Sequence, residues 1–144
     1  MKTILIASDH AGFEMKEILK KNASALQIQF DDLGTHSTES VDYPDFANTL
    51  CKKLLTQGEG SLGILICGSG VGVSIAANRF HGIRAVLAES AETAKLGREH
   101  NHANVLCLGA RFLNEAKALE IVRAFLLAEP DMGERHSRRV HKLD

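Results

Sequence analysis

Four short apolar runs constrain this chain most: Ile4-Leu5-Ile6-Ala7, Ile64-Leu65-Ile66-Cys67, Ala85-Val86-Leu87-Ala88 and Val105-Leu106-Cys107-Leu108. No polar residue interrupts any of them. That is the pattern of strands covered on both faces, as in a parallel sheet. A fifth segment, "LQIQF", alternates Leu26, Ile28 and Phe30 with glutamine and reads as a less covered edge strand. Helical patterns fill the intervals. Ala11, Met15, Ile18 and Leu19 share one face, as do Phe46, Leu50 and Leu54 behind a Pro44 suited to a first helical turn. A third helix is expected after the glycine loop that follows Cys67, and a fourth over roughly 90 to 99. A fifth runs through "NEAKALEIVRAFLLA", with Asn114 as its cap and Pro130 beyond its end.

Strands alternating with helices imply an α/β fold: three layers, Rossmann-like, around a five-stranded parallel sheet. With right-handed crossovers and the second strand at an edge, the simplest order is 2-1-3-4-5. There is no repeat and no linker, so residues 1–144 read as a single domain followed through to a helical tail. The tail, "GERHSRRVHK", is basic and has almost nothing apolar to bury, so it is expected to dock on a second subunit. In such sheets ligands bind where the chain reverses direction, beyond the carboxyl ends of the strands. Strand 1 ends in "SDHAGF" and strand 3 in "CGSGVG", so Asp9, His10 and Cys67 are expected in one cleft.

The net charge of -1 offers no argument for nucleic acid or an anionic membrane surface. No apolar run approaches the length of a membrane span. The start, "MKTILIASDH", lacks the pattern of a secretory signal, and the expected location is the cytoplasm. The three cysteines fit neither a disulfide framework nor a zinc site. Cys51 and Cys107 lie inside periodic apolar segments and read as small buried hydrophobes. Cys67 differs because of the glycines behind it.

Gly68, Gly70 and Gly72 can converge their N–H groups on an anion at the start of the next helix, with a tight strand-to-helix turn as the alternative. The dinucleotide fingerprint fails, because its third glycine falls on Val73. A P-loop fails for want of a placed lysine, and a cysteine-phosphatase loop fails because Val73 stands where its arginine belongs. A thiol beside a donor-rich loop suits proton abstraction from carbon, with the loop N–H groups stabilising the resulting enediolate. The start of a helix favours a thiolate. Ser69 is placed to hydrogen-bond the thiolate or the substrate.

His36, His81 and His141 read as solvated residues. His100 and His102 lack paired carboxylates and make a poor metal site. His100, where the fourth helix turns towards strand 5, is a candidate to face the cleft and move protons on a sugar oxygen. Arg111 follows strand 5. Arg135 and Arg139 share a face of a helical tail, a spacing that suits a phosphate and equally a solvated basic surface.

The segments "SDHAGFEMKE", "GTHSTESVDYPDFA", "GILICGSGVGVSIAANR", "GIRAVLA", "REHNHANVLCLGAR" and "GERHSRRV" together resemble the ribose-5-phosphate isomerase B family, which also holds galactose-6-phosphate and allose-6-phosphate isomerases. The likeness spans almost the whole chain in order. It implies an aldose–ketose isomerase of the pentose phosphate pathway with no metal or other cofactor. It also implies a homodimer with active sites shared between subunits, or a dimer of dimers. By resemblance Cys67 is the base acting between C1 and C2, assisted by Ser69, and His100 with Asp9 opens the sugar ring. Gly68, Gly70, Val71 and Gly72 present N–H groups, Asn101 holds sugar oxygens and Tyr43 lines the pocket. His10 and Arg111, with the partner's Arg135 and the partner's Arg139, bind phosphate. Many relatives read His-Asn-Asp where this chain has His100-Asn101-His102, and Gly-Gly where it has Gly133-Glu134, which sets an acid near the expected phosphate site. Relatives without the cysteine carry a Glu at the position of Val73. A six-carbon sugar phosphate is the alternative substrate, and a non-catalytic sugar-phosphate sensor the alternative class.

Overall fold

The computed structural model describes residues Met1–Asp144. Five strands form one parallel sheet: β1 (Lys2–Ser8), β2 (Ile28–Asp32), β3 (Gly63–Cys67), β4 (Ala85–Leu87) and β5 (Val105–Gly109). The helices are α1 (Phe13–Lys21), α2 (Ala23–Leu26), α3 (Tyr43–Thr56), α4 (Val71–Ala77), α5 (Ala91–Asn101), α6 (Glu115–Leu127) and α7 (Glu134–His141).

Side chains alternate across the sheet and build two cores. Ile4, Ile6, Ile64, Ile66, Leu106 and Leu108 pack under α1, α5 and α6 through Met15, Leu19, Ala94, Ile121, Val122 and Phe125. Leu5, Ala7, Leu65, Cys67, Val105 and Cys107 face the other way, onto Leu50, Cys51, Leu54, Val73 and Ala77 of α3 and α4. Cys51 and Cys107 are fully buried core residues. Pro44 lies in the first turn of α3. Asn114 caps α6, its side-chain oxygen accepting from Lys117 N at 2.8 Å.

The strand order is 2-1-3-5-4, not the expected 2-1-3-4-5. With right-handed crossovers, the face a helix takes is set by the direction in which the chain moves across the sheet. α5 shares its face with α1, so the step from β4 to β5 runs the same way as the step from β1 to β2. It therefore returns inward, and β5 sits between β3 and β4. The burial agrees. All five residues of β5 are buried, whereas the three of β4 are half-buried, so Ala85-Val86-Leu87 is an edge strand rather than a covered one. The other edge is β2, as its glutamine alternation implied, although the strand starts two residues later than that pattern, after the short α2 and a left-handed Gln27.

The tail also differs from expectation. It folds as α7 against its own chain, because a few residues do have something to bury: Val140 is 7% exposed and His136 is 6% exposed, with the His136 ring on α5. Asp131 N donates to Glu99 O at 2.9 Å just before this helix.

Candidate active site

The switch point lies between β1 and β3, and three loops meet at its carboxyl edge. Asp9 N donates to Ile66 O at 3.2 Å, which joins the end of β1 to the end of β3. Asp9 is buried, and its carboxylate accepts from Gly12 N at 3.0 Å, closing the turn into α1. His10 follows, half-buried. Its Nδ1 accepts from Val41 N at 3.2 Å. That bond requires an unprotonated Nδ1, so the proton of the neutral ring sits on Nε2, which is left as a donor.

Cys67 ends β3 at 5% exposure, and its Sγ accepts from Gly70 N at 3.2 Å. Gly70 has φ +78, a left-handed conformation that lets the chain double back over the thiol. Ser69 Oγ accepts from Val71 N at 3.2 Å and so supports the first turn of α4. Arg111, just past β5, lies over this loop. Its N–H donates to Gly68 O at 3.0 Å, and a Cβ on Gly68 would stand 3.1 Å from the guanidinium carbon. The loop is thin at that point, which is what admits the cation. Tyr43, the first residue of α3, sets its ring against Gly72. A groove of about 440 Å³ opens beside it, lined by Tyr43, Asn48, Gly72, Ile75, Arg79 and Phe80.

Asp9, His10, Tyr43, Cys67, Gly68, Ser69, Gly70, Val71, Gly72 and Arg111 are thus gathered at one edge of the sheet. His100 and Asn101 are not. They end α5, which runs antiparallel to the strands, and Asn104 just beyond them bonds to Gly63 and Arg84 at the amino ends of β3 and β4. The 11 residues of α5 carry the chain about 16 Å from the Cys67 edge. The expectation that His100 faces the same cleft as Cys67 fails within one chain, because a crossover helix must return to the start of the next strand.

Arg135 and Arg139 stand on α7 beside the His100–His136 pair, both exposed, and their guanidinium groups make no hydrogen bond in the chain. Glu134 pairs with Arg138 through both carboxylate oxygens, at 2.7 and 2.6 Å, and so engages its own helix. His102 takes a left-handed φ of 50, and its Nε2 meets Asp131 O at 2.7 Å. Sequence reasoning passed over His136. Its ring stacks on His100, with centroids 4.4 Å apart and planes 7° apart. Partial burial, then the facing His100, lowers its pKa below the usual histidine value. The Gly133 N–H holds the neighbouring Asp131 carboxyl below the ordinary range. The i, i+4 spacing of His136 from Val140, the one apolar residue of the tail helix, was the available signal.

A parallel α/β sheet with a thiol and a glycine-rich turn at its switch point, beside an aspartate, a histidine and an arginine, gathers these groups where sheets of this class bind their small-molecule ligands. Residues 4–143 match the family model described as Ribose/Galactose Isomerase, and the chain belongs to that family. A probable ribose-5-phosphate isomerase B of Mycoplasma genitalium is 44% identical over 141 residues, covering 97% of this chain and 92% of the relative. The ribose-5-phosphate isomerase B of Escherichia coli is 42% identical over 143 residues, covering 99% and 95%. The crystal structure of a ribose 5-phosphate isomerase from Thermotoga maritima superposes with a TM-score of 0.94 at 48% identity, covering 99% of this chain and 97% of that one.

Proposed function

We propose that this chain is an aldose–ketose isomerase interconverting D-ribose 5-phosphate and D-ribulose 5-phosphate, residues 1–144 acting as one catalytic domain in the cytoplasm. The observation that carries the reading is Cys67, a thiol on the central sheet whose sulfur already accepts a loop N–H. The family membership and a solved relative from Mycoplasma genitalium with bound ribulose-5-phosphate (44% identity, TM-score 0.92) support the substrate.

In the reaction the sugar ring opens first. His100 protonates the ring oxygen while Asp9 accepts the proton from O1, and an aldehyde forms at C1. The Cys67 sulfur then removes the proton from C2. The C–H electron pair becomes the C1–C2 double bond, and the carbonyl pair moves to O1, where the donors of the 68–72 loop hold the charge. Ser69 orients the sulfur or O2. The O2 proton then passes to O1, the double-bond electron pair takes the proton back from Cys67 at C1, and a ketone is left at C2 with a hydroxymethyl group at C1. Asn101 and Tyr43 hold the sugar. His10 Nε2–H, Arg111, Arg135 and Arg139 hold the phosphate.

These residues lie at opposite ends of one chain, so the working unit we infer is a homodimer. In a two-fold pair each cleft is completed by the His100 end of the neighbour, the self-complementary geometry of an isologous interface. Val71 and Ile75 on α4, with Leu143 beyond α7, are exposed apolar residues suited to that contact. Turnover on ribose 5-phosphate, allose 6-phosphate and galactose 6-phosphate tests the assignment. The pentose phosphate is expected to give the highest kcat/KM, with Cys67→Ala inactive on it. Turnover of a hexose phosphate alone reassigns the substrate, and turnover of none refutes the reading.

A further inference from the structure

The stacked imidazoles at the α5–α7 junction have no part in the chemistry above except through His100. We propose that His136 is a positioning residue for His100: its imidazole is the platform that fixes the plane of the His100 ring and so aims its nitrogens at the ring oxygen of a cyclic sugar phosphate. The inference rests on the isomerase reading and names what sets the geometry of its ring-opening step.

The rings lie 4.4 Å apart and 7° from parallel. In that arrangement each ring's N–H bonds lie in its own plane, so neither can donate to the other, and a proton relay between them is excluded. What remains is face-to-face contact. Such contact constrains rotation of the His100 ring about its own bonds while leaving its edge free. His136 is itself held. It is buried on α7, and its Nε2 lies 3.7 Å from Asp131 Oδ2. The carbonyl of Asp131 is in turn gripped by His102.

The charges around the pair agree with a neutral platform. His100 faces His136 from α5, Asp131 from the preceding loop, and Arg135 and Arg139 from α7 itself. Burial, His100 and the two arginines all disfavour a proton on His136, and only Asp131 favours one. An uncharged ring face under His100 is compatible with a proton on His100, because a cation over a π face is attracted, whereas two stacked cations repel.

The test compares His136→Ala with His136→Phe, which keeps a flat ring but no nitrogen. Ribulose 5-phosphate cannot close to a furanose, because the oxygen it would use carries the phosphate. Exchange of its C1 proton with deuterated solvent therefore needs the base and the phosphate site but no ring opening. His136→Ala is expected to lower net turnover of ribose 5-phosphate by at least about tenfold. C1 exchange and the KM for the sugar phosphate should stay within about threefold of the parent. His136→Phe is expected to recover most of the turnover. Equal loss of turnover and exchange in His136→Ala overturns the proposal, since that is what displacement of α7 and its arginines would produce. Failure of His136→Phe to recover overturns it too. Carbon relaxation at His100 Cδ2 gives a reading independent of activity. A fixed ring in the parent and in His136→Phe, and a mobile one in His136→Ala, supports the platform even if the parent isomerises nothing. An unchanged ring in all three refutes it.

Discussion

Replacing Gly70 by alanine separates two costs that this structure sets side by side. Gly70 has φ +78, and a Cβ there would stand 2.9 Å from Gly109 N and from Leu108 C, and 2.5 Å from Leu87 Cδ1. The leucine tip is able to move, but the β5 backbone at Leu108 and Gly109 is held by its pairing with Ile66 and Cys67 of β3. Placing an L-residue in the left-handed region costs about 1–2 kcal/mol. Overpacking against fixed atoms adds about 1–3 kcal/mol. Gly70→Ala should therefore destabilise the fold by about 2–5 kcal/mol. Gly60 is the control. Its φ is +84, with no atom within 4 Å of a built Cβ, so Gly60→Ala carries only the conformational part, about 1–2 kcal/mol. Both substitutions restrict the unfolded chain alike, so their difference isolates the steric contribution. Urea unfolding measures it. Turnover adds a second reading, because relieving the clash moves the N–H that Cys67 accepts. Gly70→Ala should lose about 10²-fold in kcat, the size of a lost oxyanion-type donor, whereas Gly60→Ala should lose nothing. Equal unfolding free energies together with equal turnover would refute the reasoning.

Three further outcomes are expected. Cys67→Ala should lower kcat by roughly 10²–10⁴-fold while leaving substrate affinity, read by calorimetry, largely intact, because the phosphate is held by other groups. Burial pushes the Cys51 thiol up to about 12 and Cys107 well above its ordinary value, so both remain uncharged at any pH near neutrality. Iodoacetamide at neutral pH should therefore leave both unmodified in the folded chain and reach them only in denaturant, as mass spectrometry of the peptides will show. Burial works against the Asp32 carboxylate, but hydrogen bonds from Lys16, Lys20 and Gly34 outweigh it and hold the carboxyl below its ordinary 3.8. Its contribution to stability is thus present above that value and lost as pH falls through the lower folded-state value. The acid limb of thermal stability should flatten in Asp32→Asn; an unchanged limb would exclude this group.

The cleft at the carboxyl edge was legible because its causes are local. Apolar runs that end in "SDH" and "CGSG" place Asp9, His10 and Cys67 by the strand-to-turn transition alone, and crossover handedness sets β1 beside β3. The inner strand order was not legible. β4 and β5 have similar apolar content, and what decides between them is the face α5 prefers, a tertiary match of Ala94 and Gly97 against the neighbouring elements. The distance of His100 from Cys67 was available, since a helix between parallel strands runs back to their amino ends. Polarity misled the reading of the tail. Two buried side chains, His136 and Val140, suffice to dock an eight-residue helix on a partner helix already folded, even though the segment is strongly basic.

We propose that each active site joins the Cys67 edge of one chain to the His100 end of another. Subunit mixing tests it directly. One chain carries Cys67→Ala and the other His100→Ala with Arg135→Ala, each preparation inactive alone. After exchange, half of the pairs are mixed, and in each of those one site inherits both defects while the other inherits neither. Activity should then return to about a quarter of the parental value. Exchange verified by native mass spectrometry with no recovery of activity would mean that His100 and the tail serve their own chain, or no catalytic purpose, and would contradict the shared site.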